Sequence, residues 1–197
     1  DDTGRKIMMI VKTEDTEFCF INIYAPTQNL KNEQIEFYNN LEKDVIENLD
    51  KKIIIGGDFN LTLDNIDRYK ENSKITESVT KVKSIMNTYD LVDIFRMNNP
   101  DTKRYTWRRH KPLTQARLDF WLVGADVIPD IVKTDINPSI KTDHSLITLM
   151  LKIENQNGTR GRGFWKFNSS LLSDLDYVCY MKGMIEMQKE NLKDVEN

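Results

Sequence analysis

Three short stretches of the 197-residue chain carry side chains that could do chemistry together. The first is Gly56-Gly57-Asp58-Phe59-Asn60, a carboxylate and an amide two residues apart behind paired glycines. On extended backbone, residues two apart face the same side. One of Asp58 and Asn60 could then hold a water or a metal while the other hydrogen-bonds a phosphate oxygen. Gly56 and Gly57 would let the backbone turn and approach a ligand closely. The second stretch is Asp143-His144, which contains one of only two histidines, the other being His110. Imidazole is the usual acid or base near neutral pH. The third is Arg117-Leu118-Asp119-Phe120-Trp121-Leu122-Val123, a charged pair on one face of an apolar run. A buried Asp119 needs a partner. His144 is one candidate, and that pairing would orient the imidazole and favour its protonated form. Arg117 is the other. Each stretch also has a plain structural reading, because Asp and Asn serve turns after strands and Asp-His serves a surface turn.

Elements that could position these residues follow from the apolar spacing. Residues 6–11 and 18–24 read as strands joined by a short polar turn, hence a hairpin. Residues 30–49 place Ile35, Tyr38, Leu41, Val45 and Leu49 on one face of an amphipathic helix. The β-branched run Ile53-Ile54-Ile55 suits a strand buried on both faces, and it delivers Asp58 at its end. A second helix is expected around Val79, Val82, Ile85 and Tyr89. Further strands are expected at 104–107, 117–123 and 145–153, with a turn at Asn98-Asn99-Pro100-Asp101. Residues 155–163, rich in Asn, Gly and Arg, read as a linker, followed by Phe164-Trp165-Lys166-Phe167-Asn168 and a mostly helical tail. Many strands and few helices indicate an α/β sandwich.

The composition narrows the function classes. Apolar residues make up 39%, and no apolar run approaches the roughly 20 residues of a membrane span. The net charge of −3 argues against a generic nucleic-acid coat protein, yet it suits a nuclease with an acidic site and a local basic face. Cys19 and Cys179 lack zinc-site spacing and read as unlinked thiols of an intracellular protein. The first residues, Asp1-Asp2-Thr3-Gly4-Arg5, show neither an initiator Met nor a signal segment, and they read as a start in the middle of something.

Taken in order, Asn22-Ile23-Tyr24-Ala25-Pro26, Gly57-Asp58-Phe59-Asn60, Tyr105-Thr106-Trp107, Arg117-Leu118-Asp119-Phe120 and Thr142-Asp143-His144-Ser145 resemble the motifs of the endonuclease/exonuclease/phosphatase superfamily. They are most similar to those of the endonuclease domain of LINE-type non-LTR retrotransposons. Gly163-Phe164-Trp165-Lys166-Phe167-Asn168 resembles the segment joining that domain to its reverse transcriptase. The resemblance implies a four-layer α/β sandwich of two mixed sheets flanked by helices over residues 1–153, with 154–197 a linker and helical tail. It implies phosphodiester hydrolysis with Mg²⁺ or Mn²⁺, DNA as partner, RNA through a downstream reverse transcriptase, and action in the nucleus. By motif, Asp58 would orient or deprotonate the attacking water. Asn60 and Tyr24 would bond the scissile phosphate, while His144, fixed by Asp119, would stabilise its developing charge. Asp143 would lie on the metal side, and Thr106 would touch the DNA backbone.

Two departures stand out. The family's early Asn and its metal-binding Glu find no match in this chain. Glu14, Glu17, Glu33 and Glu36 lack the motif's context, so the chain is expected to be N-terminally truncated, with exposed strand edges and weak or no activity alone. Thr142 stands where Ser is commoner, which keeps the hydroxyl. Around Tyr105 and Trp107, the basic residues Lys103, Arg104, Arg108, Arg109, His110 and Lys111 suit a phosphate backbone. The resemblance makes Arg108, Arg109 and Lys111 the expected DNA-contacting loop. The function expected is a DNA-nicking endonuclease that leaves a 3′-hydroxyl primer. The alternatives are a repair-type endonuclease or phosphatase of the same superfamily, and a non-catalytic nucleic-acid-binding remnant.

Overall fold

A computed structural model describes residues 4–69, 75–111, 113–139, 142–153 and 169–193. The chain divides into two compact units, Asp1–Gln156 and Asn157–Asn197. In the first unit the elements run β1 (Lys6–Lys12), β2 (Glu17–Tyr24), α1 (Lys31–Glu47), β3 (Lys52–Asp58), α2 (Glu77–Thr88), β4 (Leu91–Asp93), α3 (Ile94–Asn98), β5 (Trp107–His110), β6 (Leu113–Ala116), β7 (Asp119–Gly124), β8 (Ile131–Asn137) and β9 (Leu146–Leu151). The second unit holds a short turn of 3₁₀ helix and α4 (Leu175–Lys193), whose first amides, Asp176 N and Tyr177 N, donate to Asp174 Oδ1.

A mixed five-stranded sheet, ordered β1-β2-β3-β7-β4, forms the frame. Only β2 and β3 run parallel, with α1 as their crossover. Alternation along each strand divides the core in two. Cys19, Ile21, Ile23, Ile53, Ile55, Phe120 and Leu122 face α1 and α2, meeting Tyr38, Leu41, Val45, Val79, Val82 and Ile85. Phe18, Ile54 and Val123 face the opposite way, onto Leu149, Leu151 and Ile131 of the β8–β9 hairpin. Ile53-Ile54-Ile55 is therefore buried on both faces, as the unbroken β-branched run predicts. The α/β architecture of mixed sheets flanked by helices is present. Cys19 is buried, Cys179 is exposed, and both are free. Among the described residues, no helix is long and apolar enough to cross a membrane.

Several expected boundaries move. The strand expected at 104–107 begins only at Trp107, because Thr106 turns its hydroxyl inward onto the start of β7. The strand expected at 117–123 begins at Asp119, because Arg117 and Leu118 leave the ladder for contacts described below. The segments β4, α3, β6 and β8 are not anticipated by periodicity. They are short or polar, and the β8–β9 register is broken by an irregularity between Ile131 and Lys133. The expected linker at 155–163 and the aromatic segment at 164–168 lie outside the described residues. Edge strand β1 exposes Ile7, Met8, Met9 and Ile10.

Candidate active site

Strand register assembles the site. Tyr24 of β2 lies opposite Asp58 of β3, and Asp58 lies opposite Asp119 of β7. The three residues thus form one row across adjacent strands, and side chains in such a row share a face. By alternation that face is the one carrying Ile54 and Val123, the side of the β8–β9 hairpin. A single β-bridge between Trp107 and His144 brings the imidazole up to this row.

The glycines act differently from the expectation that they admit a ligand. A Cβ on Gly56 would lie 2.2 Å from the Trp121 ring, which packs against it. Gly57 has φ +129°, and a Cβ there would lie 2.1 Å from the Ile23 carbonyl oxygen. Both therefore admit neighbouring protein atoms, and their effect is to let the end of β3 stay in register beside β2 and β7.

After Asp58 the chain turns sharply rather than continuing extended. Asn60 adopts φ +49°, its amide N–H donates to Asp58 Oδ1 at 2.8 Å, and its side-chain Nδ2 donates to the Ala25 carbonyl at 2.7 Å. Asn tolerates this left-handed conformation better than most residues. Gln34, buried on α1, donates to the Pro26 carbonyl and so braces the same loop. The Asp58 carboxyl is pushed up from an ordinary 3.8 to about 6, chiefly by burial. The Asn60 N–H opposes that rise, and the Asp119 charge adds to it.

His144 Nδ1 lies 2.9 Å from Asp119 Oδ2, so the pairing with His144 holds and the alternative with Arg117 does not. That hydrogen bond raises the imidazole pKa. Burial opposes it, and the Asp119, Asp58 and Asp143 charges reinforce it. Asp58, Asp119 and His144 each offer a ligand atom within 4.8 Å of the others. Among the described residues no glutamate joins that group. Asp143 is exposed, and its Oδ2 accepts the Trp107 indole N–H at 3.0 Å, leaving its second oxygen uncommitted to that bond.

Arg117 has another assignment. It is fully buried, and its guanidinium forks onto Asp67 (2.8 and 3.0 Å) and Asp93 (3.1 and 2.6 Å), flanked by the Phe95 and Phe120 rings. Arg96 adds a second cation to Asp67. Burial works against the Arg117 charge, but the two carboxylates outweigh it and raise its pKa. This cluster pins the residue two before Asp119.

Thr106 corrects the expectation of a DNA contact. It is fully buried, and its Oγ1 accepts the backbone N–H groups of Leu118 and Asp119. A side chain with no accessible surface cannot touch a phosphate backbone. Tyr24 is 54% exposed beside Asp58, with the Arg5 guanidinium 5.4 Å from its ring centroid. Arg109 and Lys111 are exposed on the β5–β6 hairpin, whereas Arg108 is half-buried, with Nη2 3.5 Å from Ser145 Oγ.

A cleft of about 670 Å³ adjoins this constellation through Asn60 and His144, and is lined also by Arg68, Tyr69, Trp107 and Gln115. Arg68, Tyr69 and Gln115 are absent from the motifs read in the sequence. Nothing in their local spacing marks them, and a β-bridge between Arg68 and Ala116 brings them together.

A family model described as endonuclease-reverse transcriptase matches residues 18–148. The Transposon TX1 uncharacterized 149 kDa protein of Xenopus laevis is 29% identical over 175 residues, which are 87% of this chain and 13% of that protein. The chain thus spans a small part of that relative's length. AP endonuclease LMAP from Leishmania major superposes with a TM-score of 0.69 at 18% identity, over 78% of this chain and 56% of that one. The endonuclease domain of TRAS1, a telomere-specific non-LTR retrotransposon, gives a TM-score of 0.60 at 14% identity, over 77% of this chain and 65% of that one. Identities this low establish a shared fold.

Proposed function

Because the chain belongs to the endonuclease-reverse transcriptase family, we propose that its cleft hydrolyses phosphodiesters in DNA and nicks one strand to leave a 3′-hydroxyl. The observation that carries this reading is the row Tyr24–Asp58–Asp119 closed by a His144 bound to Asp119 at 2.9 Å. It sets a carboxylate and an imidazole held by a second carboxylate beside one open cleft.

Phosphoryl transfer needs positioning and charge stabilisation more than covalent participation. Asp58, with Oδ1 held by the Asn60 N–H, presents its other oxygen to an attacking water and accepts its proton. A carboxyl raised to about 6 is a stronger base than an ordinary one and is still ionised at neutral pH. Asp119 holds the imidazole through Nδ1, so Nε2–H of a protonated His144 points its donor at a phosphate oxygen. The second N–H of the Asn60 amide and the Tyr24 hydroxyl supply further donors. The exposed Arg109 and Lys111 would follow the DNA backbone away from the scissile bond.

The donor set fits a hard divalent cation. Asp58, Asp119 and His144 each offer a ligand atom within 4.8 Å of the others, and Asp143 is near enough for its charge to raise the Asp58 pKa. A donor set weighted to carboxylate oxygen favours Mg²⁺ or Mn²⁺ over soft metals. The upward shift at Asp58 reflects burial, with the Asp119 and Asp143 charges adding to it and the Asn60 N–H and His144 only partly offsetting it. A bound cation would screen the phosphate charge.

Purified protein incubated with supercoiled plasmid and Mg²⁺ is expected to yield open circles that a DNA polymerase extends directly, and EDTA is expected to stop the reaction. Nicks that need phosphatase treatment before extension would carry a 3′-phosphate and contradict the proposed 3′-hydroxyl product. Cleavage confined to abasic DNA would point instead to a repair-type enzyme.

A further inference from the structure

We propose that Thr106 is a positioning residue for the Asp119–His144 pair, tying the strand that carries the carboxylate to the segment that carries the imidazole. Its Oγ1 accepts two backbone N–H groups at once, from Leu118 at 2.9 Å and from Asp119 at 3.0 Å. Its own carbonyl accepts the N–H of Ser145, the residue after His144, at 2.6 Å. Its N–H donates to the Ala116 carbonyl at 3.0 Å. Four hydrogen bonds from one fully buried residue therefore reach two stretches of chain, 116–119 and Ser145, the first ending in Asp119 and the second adjoining His144.

The local sequence explains why a side chain is needed. Leu118 and Asp119 stand where β7 begins, and Arg117 before them is drawn aside to Asp67 and Asp93, with its own N–H given to the Asp67 carbonyl. The two amides that follow stand where the β7 ladder begins and the catalytic carboxylate emerges, and both donate to Thr106 Oγ1. A buried amide without an acceptor is strongly unfavourable, and the Thr106 hydroxyl oxygen, with two lone pairs, satisfies both. Loss of that acceptor frees the 118–119 backbone to shift, and His144 follows because its Nδ1 is bonded to Asp119.

The test compares Thr106→Val, which keeps the shape and removes the acceptor, with Thr106→Ser, which keeps the acceptor. The first readout is the far-downfield proton resonance of His144 Nδ1–H, assigned by its absence from Asp119→Ala. It is expected to shift or vanish in Thr106→Val and to persist in Thr106→Ser. This arm needs no enzymatic activity, whereas a kinetic arm rests on the DNA-cleavage reading. In that arm kcat is expected to fall roughly 10–100-fold in Thr106→Val, with KM for DNA unchanged, and the substitution is expected to add nothing in an Asp119→Ala background. An unshifted resonance in folded Thr106→Val, or a raised KM with normal kcat, overturns the proposal. Should Thr106→Val not fold, amide hydrogen exchange of the unaltered protein decides. Slow exchange at Leu118 and Asp119 supports the anchor, and exchange at free-peptide rates removes it.

Discussion

Replacing Asp58 by Asn exposes the tension between stability and activity in this site. The folded protein raises the Asp58 carboxyl from 3.8 to about 6. Over that interval the native state holds a proton that the unfolded chain has released. Stability contributed at this position is therefore fully present below about pH 4 and lost as pH rises through about 6. A tenfold change in a protonation equilibrium corresponds to about 1.4 kcal/mol, so the ionised carboxylate disfavours the native state by roughly 2–3 kcal/mol at pH 8. Asn keeps the side-chain oxygen that accepts the Asn60 N–H, and it carries no charge to desolvate. Asp58→Asn is expected to unfold at a higher denaturant concentration than the parent at pH 8, with Tm up by roughly 5–10 °C on the scale usual for domains of this size. The gain should vanish at pH 4. Both proteins must be measured in a chelating buffer, because a cation bound only to the native parent would narrow the difference. Equal stability at pH 8, or a loss, would show that Asp58 is not an under-compensated buried charge.

Arg117→Met leaves Asp67 and Asp93 buried without their shared cation and is expected to destabilise the domain by about 3–5 kcal/mol in denaturant unfolding. Arg117→Lys should recover only part of this, since an ammonium cannot fork onto both carboxylates. Gly57→Ala puts a methyl against the Ile23 carbonyl at a φ of +129° and is expected to destabilise by at least about 1–3 kcal/mol, seen as a lower Tm. The paired change Arg109→Ala with Lys111→Ala should leave the fold unchanged and reduce the slope of log affinity for DNA against log salt by about two. An unchanged slope would remove the β5–β6 hairpin from the interface.

Residues whose neighbours lie close in sequence, or whose type is locally improbable, were legible without a structure. The unbroken Ile53-Ile54-Ile55 announces a strand buried on both faces, and the spacing of Tyr38, Leu41 and Val45 announces the buried face of α1. A carboxylate in the apolar run of β7 demands a partner, and His144 supplies it. What was not legible depended on distant partners. Arg117 finds Asp67 fifty residues away and Asp93 twenty-four away, and no local pattern distinguishes those aspartates from surface ones. Arg68 and Gln115 reach the cleft only because the β5–β6 hairpin folds over it. Thr106 shares its stretch of chain with exposed basic residues, so nothing local distinguishes it from a surface contact, whereas its hydroxyl is spent on two backbone amides.

Asp58 and His144 are proposed to act together on a phosphodiester in one cleft. The single-turnover rate of plasmid nicking in Mg²⁺ decides whether they do, compared among the parent, Asp58→Asn and His144→Ala, all shown to be folded. Losing a positioned acid or base is worth roughly 10²–10⁴ in rate. Both variants are therefore predicted to nick at least about a hundredfold more slowly than the parent. Nicking by either folded variant at the parental rate would contradict their joint role.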